Sequence, residues 1–151
     1  MPKTIVSDTS CFIILSNIGE IDLLYKTYGQ IITTIEVANE YGETLPDWVV
    51  IQAPVDKSRQ QILEMQVDKG EASAIALALE IPDCTLILDD YKARQVAEHL
   101  HINITGTLGV IIKAKHRGII PSIKPYLDKI LKTDFRLTDD IIKQALKEAF
   151  E

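Results

Sequence analysis

The sequence predicts an α/β protein with a mostly parallel central sheet flanked by helices. Two observations carry that prediction: short apolar β-branched runs alternate with longer segments of helical spacing, and the chain opens as strand, polar turn and helix. With 151 residues, 46% of them hydrophobic, there is material for one ordinary core, and a single domain over residues 1–151 is expected. No internal repeat or Gly/Pro-rich linker interrupts it.

Thr4-Ile5-Val6-Ser7 reads as a buried strand, and Asp8-Thr9-Ser10 offers helix caps before Cys11-Phe12-Ile13-Ile14-Leu15. Ile21, Leu23, Leu24 and Tyr28 mark a second helix that stops at Gly29, followed by a short strand at Ile31-Ile32-Thr33. Thr34 to Tyr41 is helical up to Gly42. Pro46, Asp47 and Trp48 signal a turn, and Val49-Val50-Ile51 an edge strand. Helical spacing resumes over Ser58–Val67 and Glu71–Leu79, separated at Gly70, with Ala72, Ile75, Ala76 and Leu79 as the apolar face of the second helix. Leu86-Ile87-Leu88 is a buried strand ending in Asp89-Asp90. Ala93, Val96, Ala97 and Leu100 define the next helix. Thr105-Gly106-Thr107 is a polar turn that opens a helix running into Lys113-Ala114-Lys115-His116-Arg117. Two helices, about 122–132 and 138–150, finish the chain.

A formal charge of −6 argues against a broad basic surface that grips nucleic acid through many phosphates, so any such binding is local. Acidity does not exclude a nuclease, because a bound divalent cation inverts the field of its carboxylates. No stretch approaches the roughly 18–20 apolar residues of a bilayer span, and Asp8 breaks the apolar opening before a signal-peptide core forms. A soluble, cytoplasmic protein without a membrane partner is expected. Cys11 and Cys84 lie in apolar runs without CxxC spacing and read as buried reduced thiols. His99, His101 and His116 sit in polar segments, with neither an HExxH pair nor a nucleophile beside them.

In open α/β sheets the functional site lies beyond the carboxyl ends of the strands. Asp8 and Asp89 each follow an apolar strand directly. If those strands are neighbours, the two carboxylates share a crevice, where repulsion is costly unless a cation or a proton intervenes. Oxygen donors suit Mg²⁺ or Mn²⁺, and the lack of nearby Cys and His speaks against zinc. Each acid also has an ordinary structural alternative. Asp8 caps the following helix, Glu71 favours a helix dipole from the first turn, and the Asp89-Asp90 pair forms a solvated strand end. Arg94 is placed to reach back to the acids or a substrate phosphate, or to pair with Asp90 at i,i+4 spacing. Thr105 and Thr107 offer a hydroxyl and helix-start amides to a phosphate, or a plain cap. Ser10 joins them as a substrate-facing candidate. Lys113, Lys115, His116 and Arg117 form the densest basic run; Lys115 and Arg117 are candidates to guide RNA, against a solvated helix end favoured by the dipole.

Asp8-Thr9-Ser10 after the first strand, Gly70-Glu71-Ala72-Ser73-Ala74-Ile75-Ala76-Leu77-Ala78, Leu88-Asp89-Asp90-Tyr91-Lys92-Ala93-Arg94 and Thr105-Gly106-Thr107-Leu108-Gly109-Val110 together resemble the PIN-domain proteins, and more narrowly a prokaryotic branch related to the VapC-type toxins. The likeness covers nearly the whole chain and rests on the order and spacing of the motifs. It implies a PIN-like three-layer fold and three or four acids that bind one or two Mg²⁺ or Mn²⁺ ions to hydrolyse single-stranded or structured RNA. Carried across, Asp8 matches the first acid, Glu71 the middle-helix acid, and Asp89 or Asp90 the acid after the later strand. Glu40 matches the second acid, with Glu36 as its substitute one turn earlier. A homodimer and a small protein antitoxin are implied as partners besides RNA. The chain departs from the family pattern in having Glu71 where many members have Asp, and Leu88-Asp89-Asp90 in place of Thr-x-Asp.

Three other activities compete. A non-catalytic PIN-like module would bind RNA or protein without cutting. A phosphotransferase using Asp8 as nucleophile would be expected to carry a second aspartate where Ser10 stands. A receiver-like phosphoacceptor would have its paired acids after the first strand rather than a late one.

Overall fold

The computed structural model describes residues 3–151. Thr4–Ser7 forms β1, and the chain passes through Asp8 into α1 (Thr9–Asn17). Helix α2 (Asp22–Tyr28) ends where Gly29 takes φ +78°, a conformation that suits glycine, and β2 (Ile31–Thr33) follows. Thr34 caps α3 (Ile35–Tyr41) by accepting from the Val37 amide. The remaining elements are β3 (Val49–Ile51), α4 (Lys57–Leu63), α5 (Lys69–Glu80), β4 (Cys84–Ile87), α6 (Tyr91–His99), β5 (Asn103–Thr105), α7 (Thr107–His116), α8 (Lys124–Leu131) and α9 (Asp139–Glu148).

The five strands make one all-parallel sheet in the order β3-β2-β1-β4-β5. Both faces are covered, as parallel sheets require, and the alternation of side chains divides the core in two. Ile5 and Ile87 join an apolar cluster with residues of α1, α2, α7, α8 and α9, whereas Val6, Leu86 and Leu88 join one with α4, α5 and α6. Phe12 and Leu77, one in each cluster, are wholly buried, each contributing about 1.5–3 kcal/mol of transfer free energy. Cys11 and Cys84 are free and buried. No described helix is long and apolar enough to cross a membrane.

Strand β5 departs from expectation. Asn103–Thr105 extends the sheet, with Thr85, Leu86 and Ile87 of β4 opposite Asn103, Ile104 and Thr105, so Thr105 belongs to a strand and not to the turn. Three residues with a single apolar side chain carry no alternating pattern, and only pairing with β4 makes them a strand. Helix α5 also begins earlier than its apolar spacing indicates, at Lys69 behind an Asp68 cap.

Chain order runs from β1 outward through β2 and β3 on one side, and from β4 to β5 on the other. The loops leaving β1 and β4 therefore part, opening a crevice at the carboxyl ends of the two central strands. Ser7 stands opposite Ile87, so Asp8 and the residues after β4 emerge side by side.

Candidate active site

Asp8 is pinned at the mouth of the sheet by its own N–H, which donates to the Ile87 carbonyl at 3.0 Å. It stands at the cap position of α1, yet its side chain makes no cap hydrogen bond, and Oδ1 is buried without a partner. Helix capping thus does not account for this carboxylate. Glu71 is the opposite case. It completes a capping box with Asp68: Asp68 Oδ1 accepts from the Glu71 N–H at 2.8 Å, and Glu71 Oε1 accepts from the Asp68 N–H at 3.2 Å.

Asp89 is held from two sides. Its Oδ1 accepts from the Thr107 N–H at 2.8 Å, and Oδ2 accepts from the Thr107 hydroxyl at 2.7 Å and the Ser10 hydroxyl at 3.0 Å. Gly106 makes room for this arrangement, since a Cβ there would stand 2.8 Å from Asp89 Oδ1 and 3.0 Å from Arg94 Nη1. Asp90 caps α6, its Oδ2 accepting from the Ala93 N–H at 3.0 Å. Glu40 reaches from α3 over the start of α5, where its Oε2 lies 3.0 Å from the place a Cβ would take on Gly70. The hydroxyls of Thr34 and Ser73, 2.7 Å apart, fasten those two helices together.

Asp8, Glu40, Glu71, Asp89 and Asp90 consequently line one crevice of about 330 Å³, with Ser10 beside them. Asp68 and Phe135 also line it and were not singled out in the sequence. The Asp68-x-x-Glu71 spacing of a capping box was the legible signal for Asp68; nothing local marks Phe135.

The other candidates lie elsewhere. Glu36 accepts from Gln60 Nε2 at 2.5 Å, outside the crevice. Thr107 is buried behind Asp89. Arg94 donates from Nη1 to the Leu88 carbonyl at 2.8 Å, not to Asp90, and with Thr105 lines an adjoining cavity. Lys115 and Arg117 are drawn away to pack the chain: Lys115 donates to the Ala149 carbonyl and pairs with Glu151 at 3.1 Å, while Arg117 donates to the Thr27 carbonyl and lies over the Tyr28 ring.

Electrostatics single out two of the acids. Burial pushes the Asp8 carboxyl up to about 7; the Thr9 amide opposes this, and the charges of Glu71, Asp68 and Glu40 add to it. Glu71 also rises to about 7, first through burial, against its hydrogen bond from the Asp68 N–H, with Asp68, Asp90 and Glu40 as repelling neighbours. The neighbouring acids thus raise the cost of ionising Asp8 and Glu71.

Residues 4–151 match the family model DUF3368, described as a PIN domain. The chain belongs to the PIN-domain family. No curated protein is similar enough to match it. The donor set in this PIN domain consists of carboxylate and hydroxyl oxygens, the chemistry that suits a hard divalent cation, and the unpartnered Asp8 Oδ1 is the atom such an ion would satisfy. As placed, no three His, Cys, Asp or Glu side chains among the described residues are grouped to hold a metal ion. The PIN-domain crevice fits a cation in the chemistry of its donors, while its carboxylates are not gathered as closely as a bound ion would hold them.

Proposed function

We propose that this PIN domain is a Mg²⁺- or Mn²⁺-dependent endoribonuclease whose cation is held by Asp8, Glu71 and Asp89, with Glu40 alongside. The observation that carries the proposal is the Asp8 carboxylate, buried at the carboxyl end of β1 with one oxygen unpartnered and acids around it. Burying such a group is costly, and a cation offsets that cost.

Bound there, the cation would acidify an attacking water and neutralise charge on the phosphate oxygens. The chain's own residues fix the geometry. Ser10 and Thr107 hold both oxygens of Asp89 in one orientation, leaving Asp89 the better ligand and Asp90 the cap of α6. Asp68 anchors Glu71 through the capping box. With carboxyls near 7, Asp8 and Glu71 would give up their protons to hold an ion, and ion affinity would rise with pH up to about 7.

The likeness to VapC-type toxins extends the proposal to a toxin of a toxin-antitoxin pair, acting in the cytoplasm as a homodimer restrained by a small protein antitoxin. Phosphotransfer through Asp8 fits poorly, because the position two residues on, where a second aspartate is expected, is Ser10, whose hydroxyl donates to Asp89 at 3.0 Å. The second reading is a PIN domain that binds RNA without cutting, favoured by the spread of the carboxylates.

Cleavage of mixed labelled RNA by the purified protein, with Mg²⁺, Mn²⁺ or chelator, decides between them. Metal-dependent cutting is expected, reduced roughly a hundred- to a thousandfold by Asp8→Asn or Glu71→Gln with the fold intact. Equal cutting by wild type and Asp8→Asn identifies a contaminant and ends the catalytic proposal.

A further inference from the structure

We infer that the cavity adjoining the crevice seats one unpaired base of the RNA, stacked on Tyr91, while Arg94 and Arg136 meet the flanking phosphates. This rests on the nuclease reading of the crevice and adds to it a seat for one base.

The cavity encloses about 580 Å³, within the range of about 300–1,000 Å³ that small ligands occupy. It adjoins the crevice, with Asp89 and Phe135 lining both. A strand laid across the carboxylates therefore has its next nucleotide beside this opening. Among the described residues, the cations lining it are Arg94 and Arg136, opposed by Asp89 and Glu148. In a chain of formal charge −6, two guanidinium groups next to the acidic crevice are a local place for phosphate to settle.

Each side chain is delivered by the fold. Arg94 spends Nη1 on the Leu88 carbonyl, which fixes the guanidinium plane and leaves further donors for a ligand. Arg136 lies in the connection between α8 and α9. Phe135 and Leu137 on either side pack against the core, so the extended chain turns Arg136 outward, where it forms no ion pair among the described residues. Tyr91 is 75% exposed at the start of α6, an unusual place for a large ring, and Gln95 Nε2 holds its hydroxyl at 3.1 Å. The tethered ring keeps an open face, the feature on which proteins stack unpaired bases. A base inside a cavity of this kind cannot be paired at the same time, which sets the single strand apart from a duplex.

Fluorescence anisotropy tests this with a short labelled single-stranded oligouridylate and an RNA duplex of equal length, in an Asp8→Asn background with Mg²⁺ so that cutting is slow against the measurement. Arg136→Glu is expected to weaken single-strand binding about tenfold and to reduce the salt slope by about one. Tyr91→Ala is expected to weaken it about tenfold at unchanged slope. Arg59→Glu, on α4 away from the cavity, leaves binding as it was, and the duplex binds more weakly than the single strand. Unchanged affinity in both Tyr91→Ala and Arg136→Glu, equal affinity for the duplex, or no binding by the parent overturns the inference. Cleavage by the otherwise wild-type chain is scored in parallel: cutting without any effect of Tyr91 or Arg136 on binding sinks the cavity alone, whereas weakened binding in those variants without any cutting sinks the nuclease proposal and leaves the cavity standing.

Discussion

The Asp8 and Glu71 carboxylates of the crevice and the carboxylate of Glu151 are driven in opposite directions by what surrounds them. Glu151 accepts from the Ser122 hydroxyl at 2.6 Å and the Ile123 N–H at 2.8 Å, and pairs with Lys115 at 3.1 Å; these donors hold its carboxyl down at about 2. Asp8 has a buried oxygen with no donor and three acids nearby, and stands at about 7. A carboxylate among donors fastens the chain, here tying the loop before α8 to α7. A buried carboxylate among other acids destabilises the fold that holds it, and such groups cluster where a ligand completes the environment. The same contrast explains the fate of the basic run, whose Lys115 is engaged by Glu151 and is not available to the crevice.

The largest expected effect breaks the crevice side of this comparison. A carboxyl with a raised value keeps a proton in the fold that the unfolded chain has already lost, so metal-free stability falls as pH rises from about 4 to about 7. Above that window the full cost is present. Asp8→Asn should then stabilise the metal-free protein by about 2–4 kcal/mol, seen as a higher denaturant midpoint at unchanged slope. A less stable Asp8→Asn protein at alkaline pH would mean that the Asp8 carboxylate is already satisfied.

Supplying the missing charge should act next. Mg²⁺ at a hundredfold excess over its dissociation constant should raise wild-type stability by about 3 kcal/mol above neutrality, and far less in Asp8→Asn. Below pH about 7 the binding should release protons, measurable by titration calorimetry in buffers of different ionisation enthalpy. Identical heats in all buffers at acidic pH would separate Asp8 and Glu71 from the ion.

Gly106→Ala sharpens the role of Asp89. Gly106 has extended backbone, so the strain is not conformational; the added Cβ meets Asp89 Oδ1 at 2.8 Å and drives the carboxylate from the Thr107 amide. A loss of about 1–3 kcal/mol is expected, with a fall in cleavage beyond that of a surface variant of equal stability. Full retention of both would remove Asp89 from the ligand set.

Glu151→Gln should give the smallest change. A lowered carboxyl contributes stability that is present above about 4.5 and lost as pH falls towards about 2. The group is near the surface, where solvent screens the pair, so less than about 1 kcal/mol is expected, with the two proteins converging in acid. A difference that persists at the acid end would assign the effect to packing instead of charge.

Local chemistry made much of this molecule legible from its residues. Strand-forming runs at Thr4–Ser7 and Leu86–Ile87, the glycine stops after α2 and α3, and the apolar face of α5 all depend on neighbours within one or two helical turns. The sequence carries those neighbours directly. The same is true of Asp8 and Asp89 as strand-end acids, because each position is defined by the run before it. Strand β5 was not legible, since Ile104 alone cannot announce a strand and its partner lies in β4. Nor were the rivals at the site separable. Whether Asp8 capped α1, how Asp89 and Asp90 were each held, and whether Lys115 and Arg117 stood free depended on contacts such as Ser10 with Asp89, 79 residues apart, and Arg117 with Thr27, 90 apart. Parallel pairing of β1 with β4 brings the first two acids together, the close approach of α3 to Gly70 adds Glu40, and contacts with the chain after α9 and with α2 take Lys115 and Arg117 away. Secondary structure is written in local periodicity, but the convergence of charge is set by which distant strands and helices bury their apolar faces against each other, and that only the folded chain decides.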